Sequence, residues 1–248
     1  MKVHITPDPV ALGQAAAQQA ANILRTTLAQ RGEANLILAT GASQFEMLKA
    51  LTSSPDIDWT RVHLFHLDEY MGLPATHPAS FRKYLHERFV DQVGQLASVN
   101  FVQGDTPDPQ AECDRLGALI RQHPIDLAMI GIGENGHLAF NDPPADVETE
   151  ESFLVVELDA ACRQQQLGEG WFPSLEAVPS QAISMSMRQI LKSAQLIVSV
   201  PDLRKAKAVQ GAVEGPITPM CPAAYLQTHA NCELYLDEGS ASLLRSTT

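Results

Sequence analysis

Ile125-Asp-Leu-Ala-Met-Ile130 runs directly into Gly131-Ile-Gly-Glu-Asn-Gly-His-Leu-Ala-Phe-Asn-Asp-Pro143. The first six residues are an apolar run of strand length. The rest is a glycine-rich turn that delivers one histidine, His137, with an amide before it at Asn135 and a carboxylate after it at Asp142. In an open α/β sheet, the loop that leaves the carboxyl end of a strand is where chemistry is usually placed. His137 is therefore a candidate acid/base group, held by backbone that only glycine readily permits. A lone histidine is more often structural than catalytic. The glycines on one side and the Asp-Pro-Pro stop on the other favour the acid/base reading.

Outward from this loop the chain keeps a β/α rhythm. Helices are predicted from Pro9 to about Arg31, from about Gln44 to Leu51, from about Ala79 to Val90, over Pro109–Gln122, over Asp202–Val213 and over Pro222–Gln227. Asp8 is a plausible N-cap, Pro9 a first helical residue and Gly32 a stop. Strands are predicted at Asn35–Ala39, Val62–Leu67, Val99–Val102, Ile125–Ile130, Phe153–Leu158, Ala182–Met185, Gln195–Val200 and Glu233–Leu236. Alternation of this kind implies a three-layer, mostly parallel α/β sheet, Rossmann-like, in a single domain covering residues 1–248. Residues 159–180 read as irregular and rich in Gln, Gly and Pro. A connection this long is either a candidate mobile lid or an ordinary surface excursion.

Composition narrows the function. The chain has 248 residues and a net charge of −12, with no Lys/Arg stripe, which argues against nucleic acid as a partner. A local nest with one or two cations still suffices for an anionic small molecule. No apolar run approaches the roughly 20 residues needed to span a bilayer, and Met1–Pro7 lacks a signal-peptide core. The expectation is a cytoplasmic protein with no membrane partner. Four cysteines, Cys113, Cys162, Cys221 and Cys232, show no CxxC pairing and read as ordinary thiols. His63 and His66 are three apart in a predicted strand and point to opposite faces, so no metal site is expected.

Two further strand ends resemble sites. Thr40-Gly41-Ala42-Ser43 joins a strand to a helix, so it reads either as a structural turn or as an anion cradle made of hydroxyls and helix-start amides. Asp68-Glu69-Tyr70 ends another strand, and a carboxylate there is either a proton acceptor or a helix cap. Gly131, Gly133 and Gly136 match GxGxxG formally. The residues that follow are poor helix openers, so dinucleotide binding is set aside. No GxSxG elbow occurs, so a serine hydrolase lacks its signature.

Leu67-Asp-Glu-Tyr-Met-Gly-Leu-Pro74, His77-Pro-Ala-Ser80, Gly131 through Pro143 and Val213-Glu-Gly215 together resemble glucosamine-6-phosphate deaminases. The resemblance runs in order from the Thr40 loop to about Glu233. The sister 6-phosphogluconolactonases share the GxGxxGH part but typically follow it with a Ser-Leu-Phe-Pro-type run. This chain has Ala139-Phe-Asn-Asp-Pro143 instead. The resemblance implies aldo–keto isomerisation and deamination of an amino-sugar phosphate, with no metal or organic cofactor. It implies that Asp68 moves the proton between C2 and C1, that His137 opens the sugar ring, and that Asn135 and Asp142 orient His137. Thr40, Gly41, Ala42 and Ser43 match its phosphate loop, and Lys205 matches the lysine that reaches the phosphate.

Three positions depart from the family pattern. Residue 142 is Asp where Glu is usual, and residue 135 is Asn where many members have Asp. In place of a lid arginine on the phosphate, the chain has Leu167-Gly-Glu-Gly-Trp-Phe172. Arg163, several residues away, is the candidate lid contact in its stead. Leu154 and Val156 stand roughly where hexameric members carry basic residues for an allosteric sugar phosphate, which implies no such control. The alternatives to the deaminase are sugar-lactone hydrolysis of the 6-phosphogluconolactonase type and a non-catalytic sugar-phosphate sensor. A homo-oligomer is left open.

Overall fold

Helix α1 (Pro9–Arg31) begins and ends where capping chemistry places it. The Asp8 carboxylate accepts from the Ala11 amide at 2.8 Å, Pro9 takes the first turn, and Gly32 turns left-handed at φ 87° so that its N–H meets the Leu28 carbonyl. The buried face of α1 is built largely of alanines, with Leu12, Ile23, Leu24 and Leu28. Small residues let neighbouring backbone come close.

The computed structural model describes residues 1–168 and 170–245. Glu169, the acid within the 167–172 stretch, and residues 246–248 lie outside the described residues. The strands are β1 (Lys2–Thr6), β2 (Ala34–Leu38), β3 (Val62–His66), β4 (Asp68–Tyr70), β5 (Ser98–Asn100), β6 (Leu127–Ile130), β7 (Phe153–Glu157), β8 (Gln181–Met185), β9 (Gln195–Val200) and β10 (Cys232–Asp237). The remaining helices are α2 (Phe45–Thr52), α3 (Phe81–Leu85), α4 (Asp91–Val93), α5 (Pro109–Gln122), α6 (Ala160–Gly168), α7 (Met187–Leu191), α8 (Ala206–Glu214) and α9 (Glu238–Ala241).

Seven strands form a parallel sheet in the order β1-β10-β9-β6-β2-β3-β5. Its central strands β2 and β6 are buried throughout. Their side chains alternate between two cores: Leu36, Leu38, Leu127 and Met129 face α1 and α2, while Ile37, Ala128 and Ile130 face α5, α7 and α8. Helices on both faces explain why these strands read as continuous apolar runs. From β2 the chain winds outward through β3 to β5. It then returns beside β2 as β6 and winds the other way to β9 and β10. The order reverses between β2 and β6, and a crevice opens outside the carboxyl ends of such a pair.

The three-layer, mostly parallel architecture expected from the sequence is what the chain adopts. Several elements differ from expectation. β1 was not anticipated; it pairs with β10 at the sheet edge. The helical stretch expected from about Ala79 is α3 and α4 joined by a π turn at His86–Val90. Residues 159–180 are not irregular throughout, because α6 occupies their first part. Asp68 does not merely end β3. After Leu67 the chain enters a second, antiparallel sheet in the order β4-β8-β7. No described helix is long and apolar enough to cross a membrane.

At Gly13, a Cβ would stand 2.6 Å from the Glu46 carbonyl carbon and 2.7 Å from the Met47 nitrogen. Gly13→Ala gains about 1 kcal/mol of helix propensity. Overpacking against rigid backbone costs about 1–3 kcal/mol. The second effect should win, and urea denaturation should show a net loss of stability; a stabilised variant would refute this account of the α1–α2 contact.

Candidate active site

The carboxyl ends of β2, β3, β6 and β9 converge on one cleft. Thr40, Gly41 and Ser43 line it from the end of β2, Asp68 from beyond β3, Gly131, Gly133 and His137 from the end of β6, and Lys205 from beyond β9. All three strand-end loops singled out in the sequence therefore meet, together with Lys205. Ala42 is exposed and is not among the lining residues.

The Thr40 loop turns on Gly41 at φ 98° and passes through a short 3-10 turn, Ala42–Gln44, into α2. The Tyr84 hydroxyl donates to the Gly41 carbonyl at 2.8 Å. Gln44, which the sequence reading assigned no role, is fully buried. Its amide donates to Ser43 Oγ at 3.0 Å and to the Ser199 carbonyl on β9 at 3.2 Å. A Cβ at Gly131 would come within 3.2 Å of Ser43 Oγ, so glycine there lets the β6 exit pack against this loop.

Asp68 pairs in register with Ser184 of β8 and is 6% exposed. Burial, reinforced by the charge of Glu69, pushes its pKa up to about 8. Glu69 points the other way and is structural. It accepts from Ser80 Oγ at 2.8 Å and from the Phe81 and Arg82 amides at 3.1 and 3.0 Å, and pairs with Arg82 Nε at 3.3 Å. The Arg82 guanidinium is further held by Gln103, Asp105 and the Leu73 carbonyl. This network anchors the start of α3 to the floor of the site. Breaking a buried pair of this kind costs about 3–5 kcal/mol.

His137 is 7% exposed. Its Nδ1 lies 2.9 Å from Asp142 Oδ1 but off the line of a good hydrogen bond. Asn135 braces the pair. Its amide donates to Asp142 Oδ1 at 3.0 Å, and its carbonyl accepts from the His137 backbone N–H at 3.0 Å. Burial pushes the Asp142 carboxyl up, but the His137 contact and the Asn135 and Cys162 donors outweigh it and hold it below the usual carboxylate range. A Cβ at Gly133 would sit 2.2 Å from His137 Nε2, so only glycine lets the ring lie there. Gly136 at φ 87° and Ala139 at φ 51° complete the tight turn.

The lid stretch contributes differently from expectation. Arg163 does not reach the cleft; its guanidinium donates to the Leu175 and Val178 carbonyls at 2.6 and 2.9 Å. Gln165 and Gln166 of α6 line the cleft instead. Their only sequence signal was a run of glutamines. Cys162 also sits over the site. Its thiol, the Asp142 carboxylate and the His137 ring offer ligand-type atoms within 4.8 Å of one another, the one such grouping among the described residues. The sequence alone, with no CxxC pairing, favours an ordinary thiol at Cys162 over a metal or redox role.

A parallel α/β sheet with buried acid and imidazole groups at its switch point defines an acid/base enzyme of the sugar-phosphate isomerase type. The family model for glucosamine-6-phosphate isomerases/6-phosphogluconolactonase matches residues 7–235, and the chain belongs to that family. It is 39% identical over 209 residues to a glucosamine-6-phosphate deaminase of Exiguobacterium sibiricum, covering 84% of this chain and 80% of that one. It is 36% identical over 224 residues to one of Streptococcus pneumoniae, covering 90% and 92% respectively. A solved monomeric glucosamine-6-phosphate deaminase superposes with a TM-score of 0.89 at 29% identity, covering 98% of this chain and 100% of that one. The 6-phosphogluconolactonase of Thermotoga maritima superposes at 0.78 with 15% identity over 95% and 99%, a likeness of fold alone.

The raised pKa of Asp68 has a consequence for stability. The native state holds this proton more tightly than the unfolded chain, so the contribution is full below the unfolded value near 4 and is lost as pH rises through about 8. Chemical denaturation at pH 6 and pH 9 should show wild type losing stability across that interval and Asp68→Asn losing clearly less. Equal losses in both proteins would contradict the burial of this carboxyl.

Proposed function

We propose that this protein converts glucosamine 6-phosphate and water into fructose 6-phosphate and ammonia. The observation that carries the reading is one cleft in which a buried carboxyl titrating near neutrality, Asp68, shares walls with the His137–Asp142 pair and with Lys205.

His137 works at the ring oxygen. Protonating O5 while a proton leaves the O1 hydroxyl breaks the C1–O5 bond and releases the C1 aldehyde. Asp142 and Asn135 set the ring's orientation for that exchange. The freed carbonyl acidifies the C2 proton, and the Asp68 carboxylate takes it. O1 takes up a proton as the C1=C2 enolamine forms, and returning the Asp68 proton to C1 while the nitrogen lone pair moves in leaves C2=N as an iminium. Water adds at C2, ammonia departs, and the ketose remains. A carboxyl with its pKa near 8 suits a proton that must be both taken and returned, because the acid predominates at neutral pH while the carboxylate stays accessible within about a pH unit. Lys205, the Thr40 and Ser43 hydroxyls and the amides of the Gly41–Ser43 turn hold the phosphate. Residues 159–180 act as the lid, with α6 over the sugar. The Phe140-Asn-Asp-Pro143 run speaks against lactone hydrolysis.

Asp68→Asn should lower ammonia release by roughly 10²–10⁴-fold. With deuterium at C2 of the substrate, wild type should carry label to C1 of the product, and any residual product of the variant should lack it. Full activity in Asp68→Asn removes the mechanism. Wild-type kcat/KM should rise as pH passes through about 8, since the carboxylate is the form that abstracts the proton. A profile flat from pH 6 to 9 would assign the base elsewhere.

A further inference from the structure

Among the described residues lining the cleft, Lys205 is the sole lysine, and no arginine is among them. Arg163 is spent on lid carbonyls, and Arg204 turns toward Asp202 at 2.9 Å and Glu134 at 3.6 Å. The cleft must complete its hold on an anion with neutral groups. The side chain of Gln165 is arranged for that task.

Gln165 Oε1 accepts from the Glu134 backbone N–H at 3.0 Å. That N–H can only donate, so the oxygen of the amide must face it and the Nε2 end must point away. Gln165 lines the cleft, so the NH₂ of the amide is the end available to a ligand there. The same bond ties α6 to the Gly131–His137 loop, so a ligand that engages Gln165 also fixes the lid helix against the imidazole loop. Glu134, one residue from Gly133, faces Arg204, the neighbour of Lys205. Gln165 and Lys205 line the same cleft. Gln166 beside it has a different job: its carbonyl takes the hydroxyl of buried Tyr70 at 2.5 Å and builds the wall.

We propose that Gln165 is a substrate-binding residue that donates its amide N–H to the phosphate of the bound sugar, completing with Lys205 a subsite of one cation and one neutral donor. The inference rests on the reaction proposed above. It makes Gln165 a determinant of the 6-phosphate requirement.

Gln165→Glu separates the two jobs of the side chain. Its carboxylate still accepts from the Glu134 N–H, while the donor becomes an anionic oxygen facing the phosphate. The measurements are inorganic phosphate binding by calorimetry and steady-state KM and kcat for glucosamine 6-phosphate. Both the phosphate Kd and KM should rise roughly 10- to 100-fold, the scale of a hydrogen bond to a charged group, with kcat within about threefold. Gln165→Ala should weaken both constants in the same direction and serves if the glutamate variant does not fold. Unchanged phosphate affinity and KM, or a fall in kcat alone, overturns the proposal. Wild type that binds phosphate through Gln165 but releases no ammonia would leave the subsite standing and remove the reaction. Wild type that releases ammonia while both variants keep phosphate affinity and KM would do the reverse.

Discussion

Strand β8 is the common rail for both halves of the site. Ser184 pairs with Asp68 across the small sheet, and the Met185 N–H donates to the Leu67 carbonyl at 2.7 Å. From the same two residues, Ser184 Oγ accepts from the Phe140 amide at 3.0 Å and the Met185 carbonyl accepts from the Asn141 side chain at 2.8 Å. One dipeptide thus sets where the carboxyl of residue 68 stands relative to the loop that ends in Asp142. These groups are buried, so each lost bond leaves a desolvated partner and costs more than the roughly 1 kcal/mol of an average hydrogen bond. Acid/base geometry in this cleft is a property of backbone pairing, with the side chains as its readout.

The same frame sorts the carboxyls into different roles. Asp68 and Glu69 are adjacent in β4 and point to opposite faces, as strand geometry demands. Burial raises the Glu69 pKa as well, but Ser80, two amides and a guanidinium pull it back toward the charged form. Asp68 faces the cleft, feels burial and the charge of its neighbour, and keeps its proton to about pH 8. Asp142 is also largely buried yet is held low, because His137 and Asn135 converge on it. Separate environments for chemically identical groups are how a single fold runs proton donation and proton removal together.

Local signals were legible and non-local ones were not. The ends of α1 follow from Asp8, Pro9 and Gly32, and the central strands from apolar runs at Leu36–Leu38 and Leu127–Ile130. The Thr40, Asp68 and His137 loops were found because each interrupts such a run with residues that only a turn or a site would use. β4 was missed because three residues carry no periodicity, and its partner β8 lies over a hundred positions away. α6 was missed because its run of glutamines carries no apolar period, and its buried positions are Cys162 and Gln166. Arg163 was favoured on charge alone. Its guanidinium is closer to the Leu175 and Val178 carbonyls, which close the lid stretch upon itself.

A chain carrying −12 overall is an odd host for the phosphate proposed above, yet distance decides the matter. Charges farther off than about 8 Å are largely screened at physiological ionic strength. The acids nearest the cleft repel an anion weakly: burial pushes the Asp68 pKa up to about 8, which favours its neutral form, and the Asp142 carboxylate is turned onto the His137 ring and the Asn135 amide. Lys205, 8% exposed, acts from a low-dielectric wall, where one charge counts for more than several on the surface. The turn amides of residues 41–43 add fixed partial charges that need no counterion. A second, arginine-sized cation is therefore not required for the site to be locally attractive, and its absence leaves selectivity to the placement of neutral donors.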